Sequence, residues 1–459
     1  MDILVVNGSP KGPNSVTLQT VNYLKILFPG HAWRELHAGQ RIRALERDFS
    51  EAKALLEEAD LILFCYPVYT FLAPAQLHRF LELAEECGAD VAGKFAAQIT
   101  TSKHFYDVTA HEFVRERCGD LGLRYLSGLS ADMEDLLSEK GRREAEQFFR
   151  YLLWSSENGA WDDPPRQAAP FRSPVPATVP DEPVPQTGDG RIVIVTDLED
   201  GDGPLGTMIR RFRAVTPRRT EVVDLRGFDF AGGCLGCFHC ASGGECVYRD
   251  GFDALLRERI QTADAIVYAF SVRGHSMGYR FKLYDDRQFC NGHRTVTMGK
   301  PVGYLVDGCL DAEPNLTMLM EARAEVGGNT LAGIACNQRE PDEAVDHLAE
   351  TLCYAITENY QPPKDFYGVG GLKIFRDLIW QMQGLMRADH RFYKAHGFYD
   401  FPQKKRGAMM AMYLVGAMMN SPKLRRKMGG KITEGMIGPY KKVLEKDPGP
   451  REGDRAPKE

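Results

Sequence analysis

The feature that most constrains this chain is a rhythm of short apolar runs and helical segments, played twice. Residues 2–7 (DILVVN), 31–36, 60–65 (DLILFC), 94–100 and 124–126 read as strands, several of them apolar throughout as buried parallel strands are. Between them, residues 14–27, 49–58, 74–86, 109–122 and 138–154 read as helices. In 74–86, Leu77, Phe80, Leu81 and Ala84 mark one face at helical spacing, and Pro74 suits a first turn. The rhythm restarts at residue 191. Strands are expected at 191–196 (RIVIVT), 220–224, 265–270 and 301–306, and helices at 205–214, 252–260, 282–289 and 342–358. Such alternation predicts α/β architecture with doubly wound parallel sheets, here two diverged copies in one chain.

A break separates the copies. Residues 159–190 carry eight prolines and almost no periodic apolar residues, which predicts an extended, semi-rigid, exposed linker. The expected domains are 1–158, the linker 159–190, a second domain 191–363, and a helical, basic extension 364–459. The hydrophobic fraction of 43% and charged fraction of 26% are those of an ordinary globular chain. A net charge of -6 argues against nucleic acid as a main partner. Met1-Asp2-Ile3 has no basic n-region, so a signal peptide is not expected. No apolar run is long enough for a transmembrane segment. Eleven cysteines without an export signal suit a reducing, cytoplasmic setting. Cys65, Cys336 and Cys353 lie in apolar segments and read as buried small hydrophobes.

In a doubly wound sheet, ligands bind beyond the C-terminal ends of the strands. Three loops qualify in the first copy. Gly8-Ser9-Pro10-Lys11-Gly12-Pro13-Asn14-Ser15-Val16-Thr17 joins a strand to a helix N-terminus, where free N–H groups and the helix dipole can hold an anion. It is neither a Walker loop nor G-x-G-x-x-G. Its bland alternative is a strand–helix turn capped by Asn14 or Ser15. Residues 67–71 offer aromatic and backbone groups suited to a flat ring, and Thr100–Tyr106 closes the set. GSPKGPNS, YPVYTFLAPAQLHRFLE and TTSKH together resemble the cofactor loops of the flavodoxin-like NAD(P)H-dependent FMN reductases. The resemblance covers roughly residues 1–155. It implies that Ser9, Lys11, Asn14, Ser15 and Thr17 bind the FMN phosphate. It implies further that Pro67, Val68, Tyr69 and Phe71, with Thr101 and Ser102, border the flavin ring.

The second copy differs at the matching loop. Asp197-Leu198-Glu199-Asp200-Gly201-Asp202-Gly203 places four carboxylates where a phosphate would sit, so this copy is expected not to bind FMN phosphate. Instead it has Gly232-Gly233-Cys234-Leu235-Gly236-Cys237-Phe238-His239-Cys240 followed by Cys246. Four of eleven cysteines fall in a C-x2-C-x2-C-x5-C pattern. Such a glycine-rich thiol loop suits an iron–sulfur cluster better than zinc, which takes paired C-x2-C elements far apart; a metal-free thiol loop is the third reading. GGCLGCFHCASGGECVYRDGF resembles the compact cysteine motif of iron–sulfur flavoproteins, flavodoxin-fold dimers with FMN and one [4Fe–4S] cluster per subunit. The resemblance implies Cys234, Cys237, Cys240 and Cys246 as ligands.

The expected arrangement is thus an internal pseudo-dimer, the FMN of the first copy facing the cluster of the second, with further oligomerisation open. The expected function is an NAD(P)H-dependent flavin oxidoreductase. Electrons would pass from NAD(P)H through FMN to a [4Fe–4S] cluster or to a small-molecule or protein acceptor. The alternatives are a cluster-free quinone or nitro/azo reductase, and a non-enzymatic electron carrier or scaffold. No residue stands out as an obligatory acid, base or nucleophile. Residues 273–293 are expected near the same cleft, with Lys282, Asp286 and Arg287 as a helix-surface ion network and His275 and His293 as structural or acid–base groups. Helices are expected at 372–386 and 408–419. From Pro402 on, 14 Lys/Arg stand against 6 Asp/Glu. Such a tail suits either packing across both domains or contact with a membrane surface or acidic partner. Residues 389–394 form a polar–aromatic run that would suit a cover over the cleft.

Overall fold

A computed structural model describes residues 1–104, 106–161 and 174–423, with isolated positions 437, 440, 441, 444 and 445. The chain divides into two compact units, Met1–His396 and Gly397–Glu459.

In the first unit the apolar runs pair as parallel strands. β1 (Asp2–Asn7), β2 (Ala32–Leu36), β3 (Leu61–Pro67), β4 (Phe95–Ser102) and β5 (Arg124–Asp132) form one sheet in the order β2-β1-β3-β4-β5. β6 (Gly188–Thr196), β7 (Arg218–Asp224), β8 (Ala265–Ser271), β9 (Pro301–Asp307) and β10 (Thr330–Cys336) form the other, with β7 and β10 at its edges and β6, β8 and β9 between them. Counted within each copy, both sheets have the order 2-1-3-4-5, with the switch point beside the first strand.

Alternation of side chains along each strand explains the layers. Ile3 and Val5 point to α1 (Val16–Leu27), while Leu4 and Val6 point to the opposite face. That opposite face carries α2 (Ala38–Leu45), α3 (Ser50–Glu58), α4 (Ala75–Glu86) and α5 (Asp107–Asp120), and α6 (Glu139–Asn158) joins α1. In the second copy Ile192 and Ile194 face α7 (Pro204–Val215) and α12 (Pro341–Thr357), which pack side by side on one face of the sheet. The short α8 (His239–Gly243) and α9 (Phe252–Ala254) belong to the cysteine region, and α9 continues as a π-helical turn, Leu255–Ile260. α10 (Gly278–Arg287) and α11 (Pro314–Gly327) lie on the face reached by Val193 and Val195.

The two inner faces share one continuous apolar core, because α4 packs on α10 and α5 on α11. These are the equivalent helices of the two copies, and their contacts are reciprocal. The Asp286 carboxylate on α10 accepts from the Ala75 N–H of α4 at 2.7 Å, and the Glu82 carboxylate on α4 accepts from the Tyr279 N–H of α10 at 2.7 Å. Contact of residue i with j, mirrored by j with i, is the signature of a two-fold interface. The strand ends repeat as well. β3 runs into a two-residue hairpin, Tyr69 to Leu72, and β8 into another, Arg273 to Ser276. Both central residues have positive φ in each, Thr70 (46°) and Phe71 (69°), then Gly274 (51°) and His275 (60°).

Several expectations need correction. Lys282 and Asp286 are not on a helix surface. Both side chains are fully buried between the copies, and Lys282 also donates to the Tyr69 carbonyl at 2.9 Å. Cys65 is buried as expected, but Cys336 and Cys353 are only partly so. α2, α11 and β10 were not foreseen. α2 is short, α11 (PNLTMLMEARAEVG) lacks a one-sided apolar stripe, and β10 (TLAGIAC) is rich in Ala and Gly rather than β-branched residues. Of the linker, residues 162–173 lie outside the described residues. Its later part is extended but tied down: Thr178 N–H donates to Asp342 at 2.8 Å, and Ala177 is buried in the outer core.

The expected extension is divided. α13 (Phe366–Gln381) and α14 (Arg387–Ala395) belong to the first unit, where α13 packs on α11 and α14 on α8. The second unit contains α15 (Arg406–Met419), whose Met410, Met412, Tyr413 and Leu414 are exposed. The basic run after residue 423 lies mostly outside the described residues. Among the described residues no helix is long and apolar enough to cross a membrane.

Candidate functional site

At the end of β1 the chain turns through Gly8–Ser15 into α1. Asn7 organises this loop: its side-chain amide donates to the Gly12 carbonyl (2.8 Å), and its oxygen accepts from Ser9 N–H (3.0 Å). Ser9 Oγ accepts from Lys11 N–H at 3.3 Å. Ser15 is the N-cap of α1, but its hydroxyl makes no capping bond, so the first-turn N–H groups keep no side-chain partner there. Ser9, Ser15 and Thr17 are buried, and Thr17 Oγ1 lies 2.6 Å from Thr101 Oγ1, joining the first and third loops. Two glycines make the turn possible. Gly12 has φ +54°, and a Cβ on Gly39 of α2 would lie 2.2 Å from the Gly8 carbonyl oxygen.

The β3 hairpin supplies the second wall. Tyr69 opens it, Phe71 is at its tip, and Thr70 Oγ1 donates to buried Asp286 at 2.9 Å. Burial, then the neighbouring Cys234 thiol and Asp286, holds the Tyr69 phenol well above its ordinary range, so it is a neutral O–H donor.

The cysteine loop reaches the same place from the other copy. Gly236 (φ +59°) lets the backbone approach so closely that an added Cβ would lie 2.1 Å from Tyr69 Oη. Lys11 Nζ stands 5.7 Å over the Phe238 ring, linking the anion loop to the thiol loop. Gln76 of α4 donates to the Cys234 carbonyl at 3.2 Å. Beneath the loop Arg287 pairs with Asp250 through two bonds of 2.7 and 2.8 Å and donates to the Gly232 carbonyl at 2.9 Å. Arg294 donates to the Cys240 carbonyl at 3.3 Å and is held by fully buried Asp389 of α14 at 2.9 Å. The same carboxylate lies 3.2 Å from His293 Nδ1.

One cavity of about 540 Å³ gathers these parts. Its lining includes Ser9, Lys11, Ser15, Thr17, Pro67, Val68, Tyr69, Phe71, Thr101 and Ser102, and also Cys234, Cys237, Cys240 and Cys246. Asn14 does not line it; it is exposed, with its N–H on the Lys11 carbonyl. Sequence reasoning missed Phe238, Phe289, Cys290 and the α13 residues Phe375 and Leu378, which also line the cavity. Cys290 carried a signal, a fifth thiol within the polar stretch already noted; α13 carried none. His293 lines the cavity, whereas His275 does not.

Do these residues fit the groups the resemblance implies? For a flavin phosphate, buried hydroxyls, Lys11 and uncapped first-turn N–H groups form a suitable donor set. For a cluster, the loop offers four free thiols beside three arginines, Arg43, Arg287 and Arg294, that donate to carbonyls in the loop and its approach. Those cations suit the negative charge of a thiolate-ligated cluster. Burial pushes the Cys240 thiol up to about 11, with the Asp389 carboxylate next, and pushes Cys234 higher; ligation would draw both as thiolates. Among the described residues no three thiol sulfurs lie within 4.8 Å of one another. Tetrahedral zinc would hold them about 3.8 Å apart.

The matching loop of the second copy is occupied by its own charges. Glu199 pairs with Arg226 (2.8 Å) and Arg273 (2.9 Å). Burial pushes the Asp197 carboxyl up to about 6.

Residues 1–89 match a family model described as flavodoxin-like fold. No curated protein matches. Among solved structures, similar ones include an NADH:FMN oxidoreductase in its apo form (23% identity, TM-score 0.30, covering 36% of this chain and 96% of that one). An FMN-dependent NADH-azoreductase from Bacillus anthracis in complex with FMN shares 13% identity, with TM-score 0.27 over 34% of this chain and 98% of that one. An NADPH-quinone reductase from P. pentosaceus shares 16%, with TM-score 0.26 over 34% and 97%. The fold is α/β and flavodoxin-like, carried by two parallel five-stranded sheets with a helical C-terminal region.

Proposed function

We propose that this chain is an NAD(P)H-dependent flavin oxidoreductase, with FMN held by the first copy and a [4Fe–4S] cluster by the cysteine loop of the second. The observation that carries the reading is the shared cavity, bordered by the anion loop, the β3 hairpin and all four cysteines. Bound FMN would accept hydride from NAD(P)H and release electrons singly or in pairs. The chain's part is to bind, orient and shield. Ser9, Ser15, Thr17 and Lys11 would hold the phosphate. Tyr69, Phe71, Thr101 and Ser102 would border the ring, with Tyr69 donating a hydrogen bond. Cys234, Cys237, Cys240 and Cys246 would hold the cluster. Apolar Phe289, Phe375 and Leu378, which line the cavity, would limit water beside the ring. The reciprocal α4–α10 contacts support an internal pseudo-dimer, and eleven free cysteines support a reducing, cytoplasmic setting. The acceptor is a small molecule entering the cavity or a protein docking at exposed Cys237.

The second reading is a cluster-free quinone or nitro/azo reductase with the same flavin site. The visible spectrum and iron content of anaerobically purified protein separate the two. Flavin bands with a broad shoulder near 400 nm and about four irons per chain are expected. Flavin without iron selects the simple reductase, and no chromophore refutes both. Replacing Cys237 by Ser is expected to abolish iron and leave flavin bound.

A further inference from the structure

Away from the cavity, three side chains drawn from both copies converge on a second point. Glu116 lies on α5, Glu313 precedes α11 as its N-cap, and His275 is at the tip of the β8 hairpin. One ligand atom from each lies within 4.8 Å of the other two, and among the described residues no other trio of His, Cys, Asp and Glu is so gathered. None of the three lines the cavity.

A second observation concerns Glu116 itself. It is 7% exposed, and its Oε2 is buried without a hydrogen-bond partner. A buried carboxylate oxygen with no donor carries its full desolvation cost, so native structures rarely leave one. Here the Glu116 carboxylate stands beside an imidazole and a second carboxylate. His275 is oriented from both sides. Nδ1 lies 3.0 and 3.1 Å from the Glu313 oxygens, and Nε2 lies 3.0 Å from Asp120 Oδ1. Asp120 is one turn beyond Glu116 on α5. A carboxylate on the far nitrogen is what fixes the tautomer and plane of a metal-bound imidazole.

We propose that Glu116, His275 and Glu313 form a divalent-cation site at the junction of the two copies, with Asp120 as the positioning residue for His275. One imidazole nitrogen and two carboxylates suit Mn2+ or Zn2+. The cation would take the place of the proton between His275 and Glu313 and give Glu116 Oε2 its missing partner. Because the ligands come from α5 on one side and from the β8 hairpin and α11 on the other, the site would clamp the copies together.

Mn2+ is the probe to use, since thiolates favour softer metals and the cysteine loop would compete for zinc. The full chain, purified with its cofactors and stripped by a chelator of weakly bound metal, is titrated while the resonance of free Mn2+ is followed. One equivalent is expected to bind and to raise the melting temperature. Glu116→Gln, which keeps the shape of the side chain, is expected to weaken binding at least about tenfold, and Asp120→Asn by about 10–100-fold. Cys237→Ser is expected to leave binding unchanged. Failure of the wild type to retain Mn2+ overturns the proposal. So does equal retention by Glu116→Gln and His275→Gln, or loss of binding in Cys237→Ser. If Glu116→Gln does not fold by circular dichroism, Asp120→Asn decides, because Asp120 is partly exposed and, beside its pairing with Arg117, its carboxylate reaches the site through His275.

Discussion

Replacing Asp286 by Ala should be the most damaging single change at the junction of the copies. The Asp286 and Lys282 side chains are both fully buried, and they pair with each other. Asp286 also accepts from Ala75 N–H and Thr70 Oγ1. Its removal leaves buried Lys282 with the Tyr69 carbonyl and the Thr70 hydroxyl as hydrogen-bond acceptors and the Asp285 carboxylate 3.7 Å away. Breaking a buried pair from one side costs about 3–5 kcal/mol. The stranded Ala75 N–H would add about 1 kcal/mol or more, partly overlapping with that sum. The two acceptors left to Lys282 argue for the lower end, so about 4 kcal/mol is expected. That is a large part of the roughly 5–15 kcal/mol that holds a native fold. The reciprocal position supplies the control. Glu82 caps α10 with the same geometry, but its side chain is 27% exposed and its partner Arg79 is 18% exposed. Water can solvate what Glu82→Ala leaves behind, and about 1 kcal/mol is expected. Equilibrium urea unfolding of the three proteins, followed by far-ultraviolet circular dichroism, measures the differences. Restoring the packing with Lys282→Met and Asp286→Leu together should recover most of the loss. The reasoning fails if Asp286→Ala stays within about 1 kcal/mol of wild type, or if Glu82→Ala costs as much, since burial would then not decide the outcome.

Gly39→Ala places a methyl 2.2 Å from the Gly8 carbonyl oxygen and must push the anion loop away from α2. An overpacking cost of about 1–3 kcal/mol, if it falls wholly on the bound state, should appear as a roughly five- to 150-fold weaker FMN affinity in a flavin fluorescence titration. Gly201→Ala, with open space around it, should leave that affinity unchanged. Asp197 has its folded pKa raised by burial to about 6 from an ordinary 3.8. A raised acid contributes stability that is complete below about pH 4 and is lost as pH rises through 6. Asp197→Asn should therefore stabilise the protein above pH 6, by at most about 3 kcal/mol, with the gain vanishing near pH 4 in thermal melts across that range.

The repeated rhythm was legible because strand and helix periodicities are local. β1, β3, β6 and β8 are continuous apolar runs, and a parallel strand buried on both faces needs little else. The anion loop was legible for the same reason, since strand, glycine and helix N-terminus follow one another in the chain. Asn14 shows the limit of such reading. It belongs to the motif, but the turn at Gly12 carries it outward, away from the cavity. Lys282 and Asp286 show it again. Their spacing marks a helical ion pair, yet spacing does not tell whether the helix face meets water or another helix.

What the order of residues determined by itself was the set of parts: two doubly wound copies, an anion loop intact in one and acidic in the other, and four thiols in a glycine-rich turn. What only the tertiary structure decided was how those parts meet. The contact of Lys11 with Phe238, the pairing of Arg294 with Asp389 and the gathering of Glu116, His275 and Glu313 each join residues distant in sequence. No local period encodes such meetings. They arise because both copies bury the same pair of helix faces in one shared core, and that packing sets the anion loop of the first copy against the cysteines of the second.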